Sequence, residues 1–168
     1  MKSIIKSTLA AIALSAAAVT GAYAADVSDQ KYVMVVPISG HPFWVPIRQG
    51  AQDAADQLGV QFEFTGPVEF DNIATQNQME QIALTQPSAF LTGAFDSSMS
   101  ETIKRVTEMG VPVATFDSDA PDSPRITFVG PDHYNVGFQY GKKIVELLQG
   151  QGKEEGQIGL LTAINQTN

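Results

Sequence analysis

Cysteine is missing from this 168-residue sequence altogether, tryptophan occurs once and histidine twice. Without cysteine there is no disulfide framework and no thiol nucleophile, so the fold must be held by its own core. The two histidines, His41 and His133, lack the spacing of a zinc site. No glycine-rich phosphate loop and no Gly-x-Ser-x-Gly elbow is present. With no nucleophile–base set either, the sequence offers no catalytic residue and reads as that of a non-enzyme. Basic residues are also scarce: 10 Lys and Arg stand against 18 Asp and Glu, for a formal net charge of −8. That balance argues against nucleic acid and anionic membrane as partners.

What is there begins with a leader. Lys2 and Lys6 precede "TLAAIALSAAAVT", an apolar run short for a bilayer, and Ala22-Tyr23-Ala24 follows as a small-x-small cleavage site. This is the layout of a secretory signal peptide over residues 1–24, cleaved before Ala25, and it implies an exported protein. Removing it takes away two lysines and no acid, so the mature chain is more acidic still.

From there the pattern alternates. "KYVMVVPI" (31–38) is a nearly continuous apolar run, as expected for a strand buried on both faces. A helix is expected from about Pro42 to Leu58, with Ile47, Ala51, Ala54, Ala55 and Leu58 on one stripe and Gly59 as its stop. Pro42 and Pro46 fit only near its start, where no amide donor is required. Further strands are expected at 60–65, 88–92, 111–117, 125–130 and, as a sixth, 156–164. Helices are expected at 72–85 (Ile73, Gln76, Met79, Ile82, Ala83), 98–109 (Ile103 and Val106 inward) and 133–148.

Strands and helices in strict alternation with short connections predict an α/β fold, a doubly wound parallel sheet. In such sheets ligands bind beyond the carboxyl ends of the strands. The rule selects four loops: "SGHPFW", "GPVEFD", "TGAFDSS" and "DSDAPDS". His41, Phe43 and Trp44 lie in the first. Aromatic faces there suit the C–H patch of a sugar ring or, alternatively, a plug for the core. Asp117 lies in the last, where a carboxylate can accept hydrogen bonds from two neighbouring hydroxyls. Asp117 and Asp119 alone make a very weak metal pair, and no metal site is expected. Asp132 is placed as the N-cap of the last helix.

These pieces, "HPFW", "GAQDAADQLGV", "GVPVATFDSDAP" and "VGPDHYNVGFQYGKKIV" in that order, resemble the periplasmic sugar-binding proteins of the ribose-binding type, the soluble receptors of ABC importers. The resemblance runs from Lys31 to the end. It implies the type I periplasmic-binding fold of two similar lobes, with residues 25–130 as the amino-terminal lobe. Gly130, Pro131 and Asp132 then form the first hinge crossing, and 131–168 the start of a second, incomplete lobe. By match, His41, Phe43, Trp44, Asp117 and Ser118 contact a small sugar. No cofactor is implied, the partner is a membrane permease, and the full-length protein is expected to be a monomer. Two departures weigh against ribose: Ser118 stands where ribose binders often carry Arg, and Pro37 where they carry Ser. "DSD" also occurs in relatives that bind the furanosyl signal autoinducer-2, which stays open as a ligand. The chain is shorter than such receptors and reads as a fragment or truncated product. Two other classes are weaker: a repressor on the same fold would need a basic helix-turn-helix where the leader stands, and a secreted α/β enzyme lacks a catalytic set.

Overall fold

A computed structural model describes residues 26–161. The leader and its cleavage site lie outside the described residues. The strands are β1 (Lys31–Val35), β2 (Gln61–Thr65), β3 (Ala89–Thr92), β4 (Val113–Phe116) and β5 (Thr127–Val129). The helices are α1 (Trp44–Leu58), α2 (Asn72–Ala83), α3 (Met99–Glu108) and α4 (His133–Gly150). All strand pairs are parallel, in the order β2-β1-β3-β4-β5.

The order explains the layering. From β1 the chain steps outward to β2, then crosses back to β3 and continues to β4. With right-handed crossovers this reversal puts α1 on one face and α2 and α3 on the other. Strand residues sort accordingly, by alternation. Val33, Val35, Phe90 and Val113 point to the α2–α3 face and pack with Met79, Ala83, Met99, Ile103 and Val106. Met34 and Val36 point the other way, with Phe62, Phe64, Leu91 and Phe116, against Trp44, Ile47 and Ala51 of α1. Reversal between β1 and β3 also makes their carboxyl ends the switch point of the sheet.

Local chemistry sets the element ends. Gly59 takes the left-handed conformation (φ 70°) that closes α1. Asp71 caps α2 by accepting from the Ala74 amide at 2.8 Å, and Asp132 caps α4 from the Asn135 amide at 3.0 Å. Pro46 falls in the first turn of α1, where its missing N–H costs nothing. After β2, Gly66 (φ 149°) lets the chain pass so close to β1 that a Cβ would sit 2.0 Å from the Val36 carbonyl oxygen.

Several expectations are corrected. α1 begins at Trp44, not Pro42, and of its stripe only Ala55 is buried; Ala54 and Leu58 are exposed. In α2 the buried stripe is Thr75, Met79 and Ala83, whereas Ile73 overhangs the first turn, 73% exposed. The sixth strand is absent over residues 156–161, and the rest of that segment lies outside the described residues. A strand needs a neighbouring ladder to satisfy its amides; here Leu160 and Leu161 are exposed instead. No residue of α4 is buried, in contrast to α1, α2 and α3.

Candidate functional site

The loop after β1 is tied to the loop after β2. Ser39 N–H donates to the Pro67 carbonyl at 2.7 Å, its hydroxyl to the Gly66 carbonyl at 2.8 Å, and Asp71 N–H to the Pro37 carbonyl at 2.9 Å. That anchorage presents His41, Phe43 and Trp44 at the carboxyl edge of the sheet. Phe43, the residue before α1, has no side-chain cap to offer; instead His41 Nδ1 accepts the Phe43 N–H at 3.1 Å. An accepting Nδ1 places the proton of the neutral imidazole on Nε2. His41 therefore presents a donor outward from an exposed ring.

The two aromatics divide. Trp44 is 4% exposed, whereas Phe43 is 48% exposed. The indole meets Phe43, Phe95 and Phe116 edge-on, with centroids 4.8, 6.1 and 5.9 Å away. Each of these rings comes from a different loop or strand end, so Trp44 knits the ends of β1, β3 and β4 together. Its Nε1–H is buried with no hydrogen-bond partner among the described residues.

At the end of β4 the backbone turns sharply. Asp117 adopts φ 60°, a left-handed conformation that Asp tolerates better than most residues. Its N–H donates to the Val129 carbonyl at 3.1 Å, and His133 Nε2 lies 3.0 Å from its carbonyl oxygen. Among the described residues, none donates to its carboxylate. Ser118 is committed to the sheet: its hydroxyl donates to the Ala94 carbonyl at 2.8 Å, and the Ala94 N–H returns a bond to the Ser118 carbonyl at 2.9 Å.

Asp119, two residues on, has the opposite fate. Arg125 grips it with both Nε and Nη2, the latter 2.7 Å from Oδ2. Thr115 Oγ1 and the Ala120 N–H add bonds to Oδ1 at 2.7 and 2.8 Å. The Arg125 guanidinium, chiefly through its hydrogen bonds, holds the Asp119 carboxyl at about 2. Of the carboxylates that open this loop, Asp117 has no partner among the described residues and Asp119 is consumed by structure. Sequence reasoning singled out the first but missed the role of the second and of Arg125, since nothing in the spacing from 119 to 125 announces an ion pair.

Two concavities flank these residues. One, of about 430 Å³, is lined by Ser39, Gly40, His41, Trp44, Arg48 and Phe64 among others; a second, of about 390 Å³, by Ala94, Asp96, Ser97, Asp119 and Asp122 among others. Phe43 and Asp117 line neither; the ring contacts Phe43–Trp44–Phe116 run from Phe43 to the residue before Asp117. Gly130 and Pro131 are the exposed link between β5 and α4.

Comparison with known proteins agrees with this architecture. The glucose-galactose binding protein GanP of Geobacillus stearothermophilus superposes with a TM-score of 0.69 at 28% identity, over 73% of this chain and 44% of that one. The arabinose-binding protein AraP of the same organism gives 0.65 at 32% identity, over 72% and 42%. The xylose/arabinose-binding protein XylF of Sulfolobus acidocaldarius is 25% identical over 134 residues, 70% of this chain and 32% of the relative. The chain thus spans less than half the length of these relatives. Residues 32–168 match the model of the periplasmic binding protein domain, and on that match the chain belongs to the periplasmic binding protein domain family.

Proposed function

We propose that this chain provides the amino-terminal, sugar-facing lobe of the periplasmic substrate-binding component of an ABC-type importer. It captures a small monosaccharide without turnover, for delivery to a membrane permease. Residues 25–130 form the lobe, Gly130, Pro131 and Asp132 the crossing, and residues 131–168 begin a second lobe. The relatives named above bind glucose and galactose, arabinose, and xylose or arabinose by their names, and the leader of residues 1–24 fits delivery to the periplasm.

The observation that carries this reading is Asp117. An unpaired carboxylate is held by a left-handed backbone at the carboxyl edge of the sheet, the edge that also carries an exposed aromatic ring and an imidazole donor. A pyranose or furanose has matching parts: vicinal hydroxyls for the carboxylate, a C–H face for Phe43 and an oxygen for His41 Nε2. Trp44 backs Phe43 from beneath, and Ser118 joins the site through the backbone it locks.

One lobe offers one wall of such a site, so binding by this chain alone is weak and is best read by saturation-transfer NMR. With D-galactose, D-xylose and L-arabinose, transfer to the ring C–H protons of at least one sugar is expected, and Asp117→Asn should abolish it. No transfer from any of these sugars, or equal transfer to the Asp117→Asn protein, would overturn the proposal.

A further inference from the structure

Resting on the sugar reading of Asp117, we propose that Asp119 and Arg125 are positioning residues: their bidentate pair holds the β4–β5 loop so that Asp117 stays left-handed and its carboxylate is pre-set for the ligand.

The loop leaves β4 at Asp117 and reaches β5 at Thr127. A left-handed non-glycine residue is disfavoured and persists only where its surroundings over-determine it. Here they do so on both sides. Upstream, Thr115 is 1% exposed within β4 and donates to Asp119 Oδ1 at 2.7 Å. Downstream, the same carboxylate receives Arg125, whose neighbour Ile126 donates its N–H to the Val113 carbonyl at 2.8 Å. Asp119 therefore bridges the last turn of β4 to the approach to β5, and closes the loop over Ser118 and Asp117. Ser118 is pinned to Ala94 in turn. Asp117 N–H is taken by the Val129 carbonyl and its carbonyl oxygen by His133, whereas its carboxylate has no hydrogen-bond donor among the described residues. A binding site pre-organised in this way spares the ligand the cost of ordering the loop.

The planar fork of arginine is what permits two parallel bonds to Asp119, and lysine cannot reproduce them. Arg125→Gln and Arg125→Lys, checked for folding by circular dichroism, separate positioning from mere stability through the conformation of Asp117. In both variants the Asp117 amide–Hα coupling and its Cα and Cβ shifts should move away from left-handed values. Affinity for D-galactose, D-xylose or L-arabinose, whichever the wild type binds, should fall about tenfold in Arg125→Gln, equivalent to about 1.4 kcal/mol. In the Asp117→Asn background, Arg125→Gln should weaken sugar binding no further. Folded variants with wild-type Asp117 coupling, or with wild-type affinity while Asp117→Asn alone weakens it, would overturn the positioning role and leave the sugar reading standing. If Asp117→Asn itself binds as the wild type does, the sugar reading fails, and the positioning role with it.

Discussion

The indole of Trp44 meets the ring of Phe116 edge-on, centroids 5.9 Å apart and planes at 85°. Phe116 is the last residue of β4 and Asp117 follows it, so this contact ties the loop after β1 to the carboxylate at the end of β4. A buried aromatic at the mouth of a helix is thus a joint between two loops at the carboxyl edge of the sheet. Its neighbour Phe43 stays about half exposed.

Trp44 should therefore affect stability first. Trp44→Ala removes a ring that is 4% exposed, and the expected loss is about 3–5 kcal/mol, read as a lower urea midpoint. Trp44→Phe should cost clearly less, because it also removes an indole N–H that has no partner. Equal losses from the two variants would mean that the packing described for the indole is wrong.

Phe43 should show the reverse. Its ring is about half exposed, so Phe43→Ala is expected to leave the urea midpoint nearly unchanged, within about 0.5 kcal/mol. Saturation transfer to sugar C–H protons should drop strongly. A destabilised variant with undiminished transfer would assign Phe43 to the core instead.

For Asp117 the informative variant is Asn, which accepts the left-handed backbone while removing the charge and turning one acceptor oxygen into a donor amide. Hydrogen bonds to a charged acceptor are worth about 1.5–3 kcal/mol, so sugar affinity should fall about tenfold to a hundredfold. Asp117→Ala adds backbone strain and should lower stability as well, which the urea midpoint would reveal.

Acid should uncouple the loop. The Asp119 carboxyl is lowered from 3.8 to about 2 by Arg125 and its other donors, so the folded chain binds its proton less readily than the unfolded chain does. Its contribution is complete above about pH 4 and is lost as pH falls towards 2. Asp96, lowered by hydrogen bonds from Ser98, acts in the same direction. Urea midpoints taken from pH 5 to pH 2 should fall less steeply for Asp119→Asn than for the wild type. Parallel curves would show that the pair is not formed in solution.

Export should remove the leader. Intact-mass analysis of the periplasmic product is expected to show Ala25 as the first residue; a retained Met1 on periplasmic protein would refute cleavage there.

Much of the fold could be read from pattern. The valines of 31–38, the Gly59 stop, the Asp132 cap and the inward Ile103 and Val106 of α3 are decided by neighbours within a few residues, where periodicity and backbone preference act directly. The gathering of the outgoing loops at one edge followed too, since all the strands are parallel. Tertiary packing decided the rest. Ile73 and Leu58 carry the periodicity of buried residues and yet are exposed, because helix tilt and coverage depend on what lies opposite. Residues 156–161 have the composition of a strand but pair with no ladder among the described residues. At Phe43 and Trp44 the resemblance assigns both rings to a sugar; in the fold Phe95 and Phe116 meet around the indole and bury it, while Phe43 stays about half exposed. Asp117 and Asp119 look alike along the chain; Arg125, brought across the loop, occupies one and leaves the other free. Which of two carboxylates is available is a question of partners in space, and only the folded loop supplies them.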